Sequence, residues 1–249
     1  METGGVNGFW LALGFLTTLP TRRVPYVEGG LGRSAAWFPV IGLLIGVLLL
    51  LMQAAAALIF GPGVAAVLVV VLWAMLTGGL HLDGLADCCD GLLVSAPRER
   101  RLEIMRDPRV GSFAVTGLVL VLLLKAAAVF SLRAGSPASL ALVLAPLWAR
   151  WWILSTARRP PARTDGLGSS FSAALTPRLL GYALVLPLAL LGIGAWFDWR
   201  SLVAVVFSGL ACLGVLQLAQ ARIGGITGDV LGAVVELTEV AFLVGMARP

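Results

Sequence analysis

Long apolar runs broken by short polar interruptions dominate the chain. Runs at about 35–60, 64–82, 112–132, 138–157, 179–197, 201–221 and 229–247 are each long enough, at about 1.5 Å per helical residue, to cross roughly 30 Å of hydrocarbon. The pattern predicts an all-α, polytopic integral membrane helical bundle with about six or seven transmembrane helices, built as a single membrane-embedded domain over 1–249. The stretch 6–19 is apolar but too short to span and is expected to be interfacial or re-entrant. Glu2 stands where a signal peptide would carry basic residues, and no small-residue cleavage site follows, so the stretch is expected to be retained.

The interruptions fall into two classes. Gly61-Pro62-Gly63, Gly135-Ser136-Pro137 and Asp198-Trp199-Arg200 are tight, whereas 20–34, 83–111, 158–178 and 222–228 are long. The long ones hold thirteen arginines and the short ones only Arg133 and Arg200. Basic loops stay on the cytoplasmic side, so the long breaks of this multi-pass protein are expected there.

Composition agrees. Hydrophobic residues make up 59% and charged residues 12%, against about 25% charged in soluble domains, and mean hydropathy is +0.97. The lipid bilayer is therefore the expected partner, and the net charge of +5 is read as loop topology, with no nucleic acid implied. Cys88, Cys89 and Cys212 offer no disulfide framework. The tryptophans fall mostly near span ends, as interfacial anchors do. Gly42 and Gly46 form a small-xxx-small pair, which predicts close helix packing and allows a homo-oligomer.

The chemistry gathers in His81-Leu-Asp-Gly-Leu-Ala-Asp-Cys-Cys-Asp-Gly91. As a helix, this places Asp83, Asp87 and Asp90 on one face. Three carboxylates so close repel unless a cation neutralises them, and oxygen-only ligands suit Mg²⁺, Mn²⁺ or Ca²⁺ better than zinc. The plainer alternative is a solvated helix end. Gly84 and Gly91 leave room beside the carboxylates for a large ligand to approach. A second cluster, Gly224-Gly-Ile-Thr-Gly-Asp-Val-Leu-Gly-Ala-Val-Val-Glu-Leu-Thr-Glu239, lines Asp229, Glu236 and Glu239 along one face. Acidic residues inside a span are costly enough to suggest function, and the two acidic faces are expected to meet. Lys125 and Arg150, also inside spans, need these carboxylates as partners.

Between the clusters runs Arg98-Glu-Arg-Arg-Leu-Glu-Ile-Met-Arg-Asp-Pro-Arg-Val-Gly-Ser-Phe113. Its arginines, Arg106 and Arg109 among them, match phosphate oxygens, although topology and anionic lipid would explain the same charges. An acidic face, a basic loop and a membrane together suggest metal-assisted phosphoryl transfer, with a carboxylate accepting the proton of an attacking hydroxyl.

These stretches, with Phe15-Leu-Thr-Thr-Leu-Pro20, Phe38-Pro-Val-Ile-Gly-Leu-Leu-Ile-Gly46 and Asp165-Gly-Leu-Gly-Ser-Ser-Phe171, resemble the cobalamin synthase family, the adenosylcobinamide-GDP ribazoletransferases. The resemblance covers nearly the whole chain in order. It implies a Mg²⁺-dependent enzyme of the cell inner (cytoplasmic) membrane in which a hydroxyl of α-ribazole, or of α-ribazole 5′-phosphate, attacks the cobinamide-linked phosphate of adenosylcobinamide-GDP, releasing GMP and leaving adenosylcobalamin or its 5′-phosphate. It also implies that Asp83, Asp87 and Asp90 hold metal and phosphate, completed by Asp229 and Glu236, with the active site facing the cytoplasm. Asp83 and Asp87 become catalytic candidates together with His81, as acid or base or as a hydrogen-bond partner to an aspartate. Arg106, Arg109, Gly84 and Gly91 become candidates for contacting the phosphate-bearing ligand.

Two positions depart from the family pattern. Pro108 replaces the serine of R-D-S-R-x-G, removing a backbone donor, and Ile226 replaces the glutamine of G-G-Q-T-G-D. The alternatives are a CDP-alcohol-type phosphotransferase, whose D-G-x-x-A-R signature is not met at Asp83-Gly-Leu-Ala-Asp87, and a cation- or proton-coupled transporter using Glu236 and Glu239.

Overall fold

The computed structural model describes residues 6–22, 24, 29–163, 171 and 175–247. Arg23 and most of the 165–171 motif lie outside the described residues. Eleven α-helices organise the rest: α1 (Val6–Leu16), α2 (Gly30–Ser34), α3 (Phe38–Ala57), α4 (Pro62–Thr77), α5 (Leu80–Leu93), α6 (Arg98–Ile104), α7 (Ser112–Ser131), α8 (Ala141–Ala157), α9 (Pro177–Phe197), α10 (Arg200–Ile223) and α11 (Gly228–Met246). Among the described residues five segments are long and apolar enough to cross a membrane: Gly30–Ala57, Ser112–Ser131, Pro137–Ala157, Pro177–Phe197 and Arg200–Ile223. A sixth arises if α4 and α5 are counted together. The protein is a polytopic, all-helical membrane protein.

The apolar run at 64–82 is not one helix. It stops at Thr77, where Gly78 (φ 61°) and Gly79 (φ 71°) are both left-handed, and α5 departs at 92° to α4. Two successive positive φ angles are readily available only to glycine. The aspartate motif therefore sits on a helix of its own instead of at the end of a span.

The run at 229–247 also differs from expectation. Its three carboxylates make α11 too polar to count as a span on composition, yet α11 lies in the interior, packed against α5, α7, α8 and α10, with Val234, Val235, Glu239, Phe242 and Leu243 fully buried. α8 packs on α3 in the same interior. There, a Cβ on Gly42 would fall 2.7 Å from Leu147 Cα and one on Gly46 2.7 Å from the Leu142 carbonyl, so this small-residue pair is used within the chain. α7, α9 and α10 turn outward residues such as Leu120, Leu188 and Leu210 to the surroundings, as lipid-facing helices do.

Not every tryptophan is an anchor. Trp196 and Trp199 are exposed at the α9–α10 turn, whereas Trp73 and Trp148 are buried. Trp73 lies beneath the Lys125 ammonium, 4.3 Å from ring centroid to Nζ, a cation–π contact inside the bundle.

Candidate active site

α5 and α11 cross with their backbones nearly touching. A Cβ on Gly84 would lie 2.8 Å from the Asp229 carbonyl and 3.1 Å from Gly232 Cα. A Cβ on Gly232 would lie 3.1 Å from the His81 carbonyl. Small residues on both helices thus bring the α5 aspartate stripe to the first turn of α11. Asp87 comes within electrostatic range of Asp229, Asp83 and Asp90, with Arg163 as the opposing cation.

Asp229 is held from three sides. Thr227 caps α11, its Oγ1 accepting the Val230 N–H at 3.3 Å and donating to Asp229 Oδ2 at 3.1 Å. Arg163 Nη2 donates to the same oxygen at 3.1 Å, and Arg106 lies within electrostatic range. Arg163 is delivered by a short parallel bridge: Ala162 N–H donates to the Ile226 carbonyl at 2.9 Å and Ile226 N–H to the Pro160 carbonyl at 3.0 Å. The Ile226 side chain is buried, so at this departure from the family pattern it is the backbone that builds the site.

Beside Asp83 and Asp229 opens a cavity of about 210 Å³, walled by His81, Phe15, Phe171 and Ile153 among others. His81 is 4% exposed and its Nε2 has no hydrogen-bond partner among the described residues. Clustered carboxylates, arginines and a small cavity together can hold a phosphorylated ligand by its charge and an apolar group by its shape.

Residues 8–247 match the family described as cobalamin-5-phosphate synthase. The chain belongs to this family. It is 44% identical to the adenosylcobinamide-GDP ribazoletransferase of Pseudomonas fluorescens, over 96% of this chain and 98% of that one. It is 41% identical to the Roseiflexus protein of the same name, over 93% and 86%, and 34% identical to that of Brevibacillus brevis, over 96% of both. No solved structure matches.

In this member of the family, Asp83, Asp87 and Asp229 come together as expected, but other candidates go elsewhere. Asp90 shares the α5 face, yet both its oxygens are committed: Gly111 N–H donates to Oδ2 at 2.6 Å and Ala114 N–H to Oδ1 at 2.9 Å, which caps α7. Glu236 is drawn into a separate buried group, where Lys125 Nζ donates to Glu236 at 2.7 Å and to Glu239 at 2.8 Å and Arg150 pairs with Glu239. Seven residues of helix, about 10 Å of rise, separate Glu236 from Asp229. The two acidic faces therefore meet only at the α11 N-terminus; deeper in, α11 meets the cations from α7 and α8.

The two glycines also serve the chain itself. Gly84 admits α11, and Gly91 admits Met105 and the Arg101 carbonyl, 3.2 Å from where its Cβ would be; of the two, only Gly84 lines the cavity.

The basic loop divides by role. Arg101 is buried and donates to the carbonyls of Ala96, Gly91 and Leu92 at 2.8, 3.1 and 2.8 Å, closing the end of α5. Arg98 donates to the carbonyls of Ile223 at 2.8 Å and Ala162 at 2.7 Å, pinning the Arg163 segment. Arg109 is exposed and tied to Asp107 at 2.9 Å through Nε, and its guanidinium holds that carboxyl well below the usual carboxylate range. Arg163 had no local signature in the sequence; only the bridge to Ile226 brings it to Asp229.

Proposed function

We propose that this chain joins adenosylcobinamide-GDP to α-ribazole or its 5′-phosphate, releasing GMP and yielding adenosylcobalamin or its 5′-phosphate. The convergence of Asp83, Asp87 and Asp229 beside Arg163 and Arg106, in a chain of this family, carries the reading. The arginines neutralise the diphosphate, and one carboxylate next to the cavity, Asp83 or Asp229, accepts the proton of the attacking ribose hydroxyl. The cobinamide-linked phosphorus forms a bond to that oxygen and loses its bond to GMP. Such sites work by positioning and charge neutralisation.

Mg²⁺ fits these residues. Among the described residues no three candidate ligands converge into a complete protein cage, and Mg²⁺ does not need one, because it is held by one or two carboxylates with substrate phosphate and water. Asp87 together with one of Asp83 and Asp229 would hold it, leaving the other carboxylate to take the proton. The ion would neutralise charge on the phosphate oxygens.

The arginine-rich segments that surround the site support a cytoplasmic-membrane protein with the site on the cytoplasmic side. A transporter relay through Glu236 and Glu239 is disfavoured, because both carboxylates are neutralised by Lys125 and Arg150.

The test is turnover by purified protein in vesicles with adenosylcobinamide-GDP and Mg²⁺, offering α-ribazole or its 5′-phosphate. GMP and a cobalamin product should form and should vanish with EDTA and in Asp87→Asn. Absence of product from folded wild-type protein would sink the reading.

A further inference from the structure

We infer that the cavity beside Asp83 and Asp229 seats the bicyclic aromatic base of the acceptor, with His81 recognising its free ring nitrogen; this rests on the reaction proposed above. At about 210 Å³ the cavity is smaller than the roughly 300–1,000 Å³ of sites that enclose a whole drug-sized ligand. It accepts one planar ring system, and neither a corrin nor a complete nucleotide fits.

The walls favour a flat apolar guest. Fully buried Phe38 stacks near-parallel on both Phe15 (6.1 Å, 23°) and Phe171 (5.5 Å, 18°), fixing two rings that line the cavity. Ile153 and Leu231 complete an aliphatic side. Among the side chains of this wall only His81 could donate to the O6 and N7 acceptors of a guanine, and the carboxylates of Asp83 and Asp229 would repel them, at a cost in affinity. The benzimidazole of α-ribazole presents a single acceptor nitrogen once the other is bonded to ribose.

His81 suits that one polar need. Among the described residues it is the uncharged hydrogen-bonding side chain of the wall, and its Nε2 is buried without a partner, so the ring must turn to present this unspent group to a guest. The carboxylates of Asp83 and Asp229 would repel an acceptor nitrogen. They belong both to this cavity and to the acidic cluster, so a base seated here directs its ribose towards the phosphate being transferred. His81 is thus assigned to acceptor binding and specificity.

The experiment compares equilibrium binding of α-ribazole with that of its indole isostere, in which the free ring nitrogen is replaced by CH, to full-length protein in nanodiscs. Wild-type protein should prefer α-ribazole about tenfold, the ratio expected of one hydrogen bond. His81→Leu should bind the two alike, and Ile153→Phe should weaken both at least about tenfold by filling the cavity. Retained binding of adenosylcobinamide-GDP reports that each variant is folded. Discrimination that survives in His81→Leu, or acceptor binding indifferent to Ile153→Phe, overturns the assignment while wild-type turnover stands. Wild-type protein that forms no cobalamin product overturns the underlying reaction, and the assignment with it.

Discussion

Asp90 Oδ2 accepts the backbone N–H of Gly111 at 2.6 Å, so the third aspartate of the α5 stripe is fastened to the helix that follows. Its other oxygen takes the Ala114 N–H at 2.9 Å, and the negative charge at the start of α7 also complements the helix dipole. Asp90→Ala loses both bonds and should destabilise the protein by about 1–2 kcal/mol. Asp90→Asn keeps one acceptor and turns an amide towards the second N–H, so it should fall between alanine and wild type. Thermal unfolding in detergent checks the order. In both folded variants the Mg²⁺ concentration needed for half-maximal turnover should stay near wild type, whereas Asp87→Asn should abolish turnover; a large Mg²⁺ shift in Asp90→Asn would return Asp90 to the metal site.

The buried group around Lys125 makes a different prediction. Lys125, Glu236, Glu239 and Arg150 are all at most 2% exposed and balance two charges of each sign. Lys125→Met leaves Glu236 uncompensated and should cost about 3–5 kcal/mol. Adding Glu236→Gln removes the orphaned charge, so the double variant should be more stable than Lys125→Met alone. A double-mutant cycle on thermal unfolding measures this coupling; a double variant less stable than the single would mean that Glu236 has other partners.

This division of the acidic residues explains what the sequence could reveal. Helical periodicity put Asp83, Asp87 and Asp90 on one face, and the cost of charge in a span flagged Glu236, Glu239, Lys125 and Arg150 as partners; both expectations rest on local rules, and the fold obeys them. Periodicity is blind to which neighbour each face meets. The commitment of Asp90 to α7 and the arrival of Arg163 at Asp229 depend on contacts 21 and 66 residues apart in sequence, set by loops that carry no periodic signal. The apolar run at 64–82 read as one span because hydropathy does not register a right-angle turn, although Gly78-Gly79 was its visible cause.

Arg163 and Arg109 should therefore behave differently despite similar loop positions. Arg163 touches Asp229 at 3.1 Å, so Arg163→Gln should raise KM for adenosylcobinamide-GDP, by roughly tenfold for one charge-assisted contact of about 1.5 kcal/mol or more. Arg109 is exposed and engaged by Asp107, and Arg109→Gln should change KM by less than about twofold, as exposed ion pairs contribute little. The sign of the pH effect follows: Asp107 has a depressed pKa, so the pair is lost only as pH falls below the ordinary carboxylate range. The pH–rate profile of Arg109→Gln near neutrality should keep the wild-type shape. Steady-state kinetics on the two variants decides, and equal KM effects would contradict the assignment.

Gly84 and Gly91 separate on the stiffness of what each would strike. A Cβ at Gly84 meets backbone: the Asp229 carbonyl at 2.8 Å and Gly232 Cα at 3.1 Å. Neither can move without shifting α11, and Asp229 moves with it. At Gly91 the nearest atoms are the flexible end of Met105, with the Arg101 carbonyl further off at 3.2 Å. Gly84→Ala should destabilise by about 1–3 kcal/mol through overpacking and also lower kcat, because a displaced carboxylate no longer matches the reacting geometry. Gly91→Ala should cost no more than about 1 kcal/mol and leave kcat within about twofold, since a methionine can repack. Measuring kcat and unfolding temperature together distinguishes the two: a Gly84→Ala variant that loses stability but keeps wild-type kcat would mean that the α5–α11 crossing holds the bundle together without setting the position of Asp229.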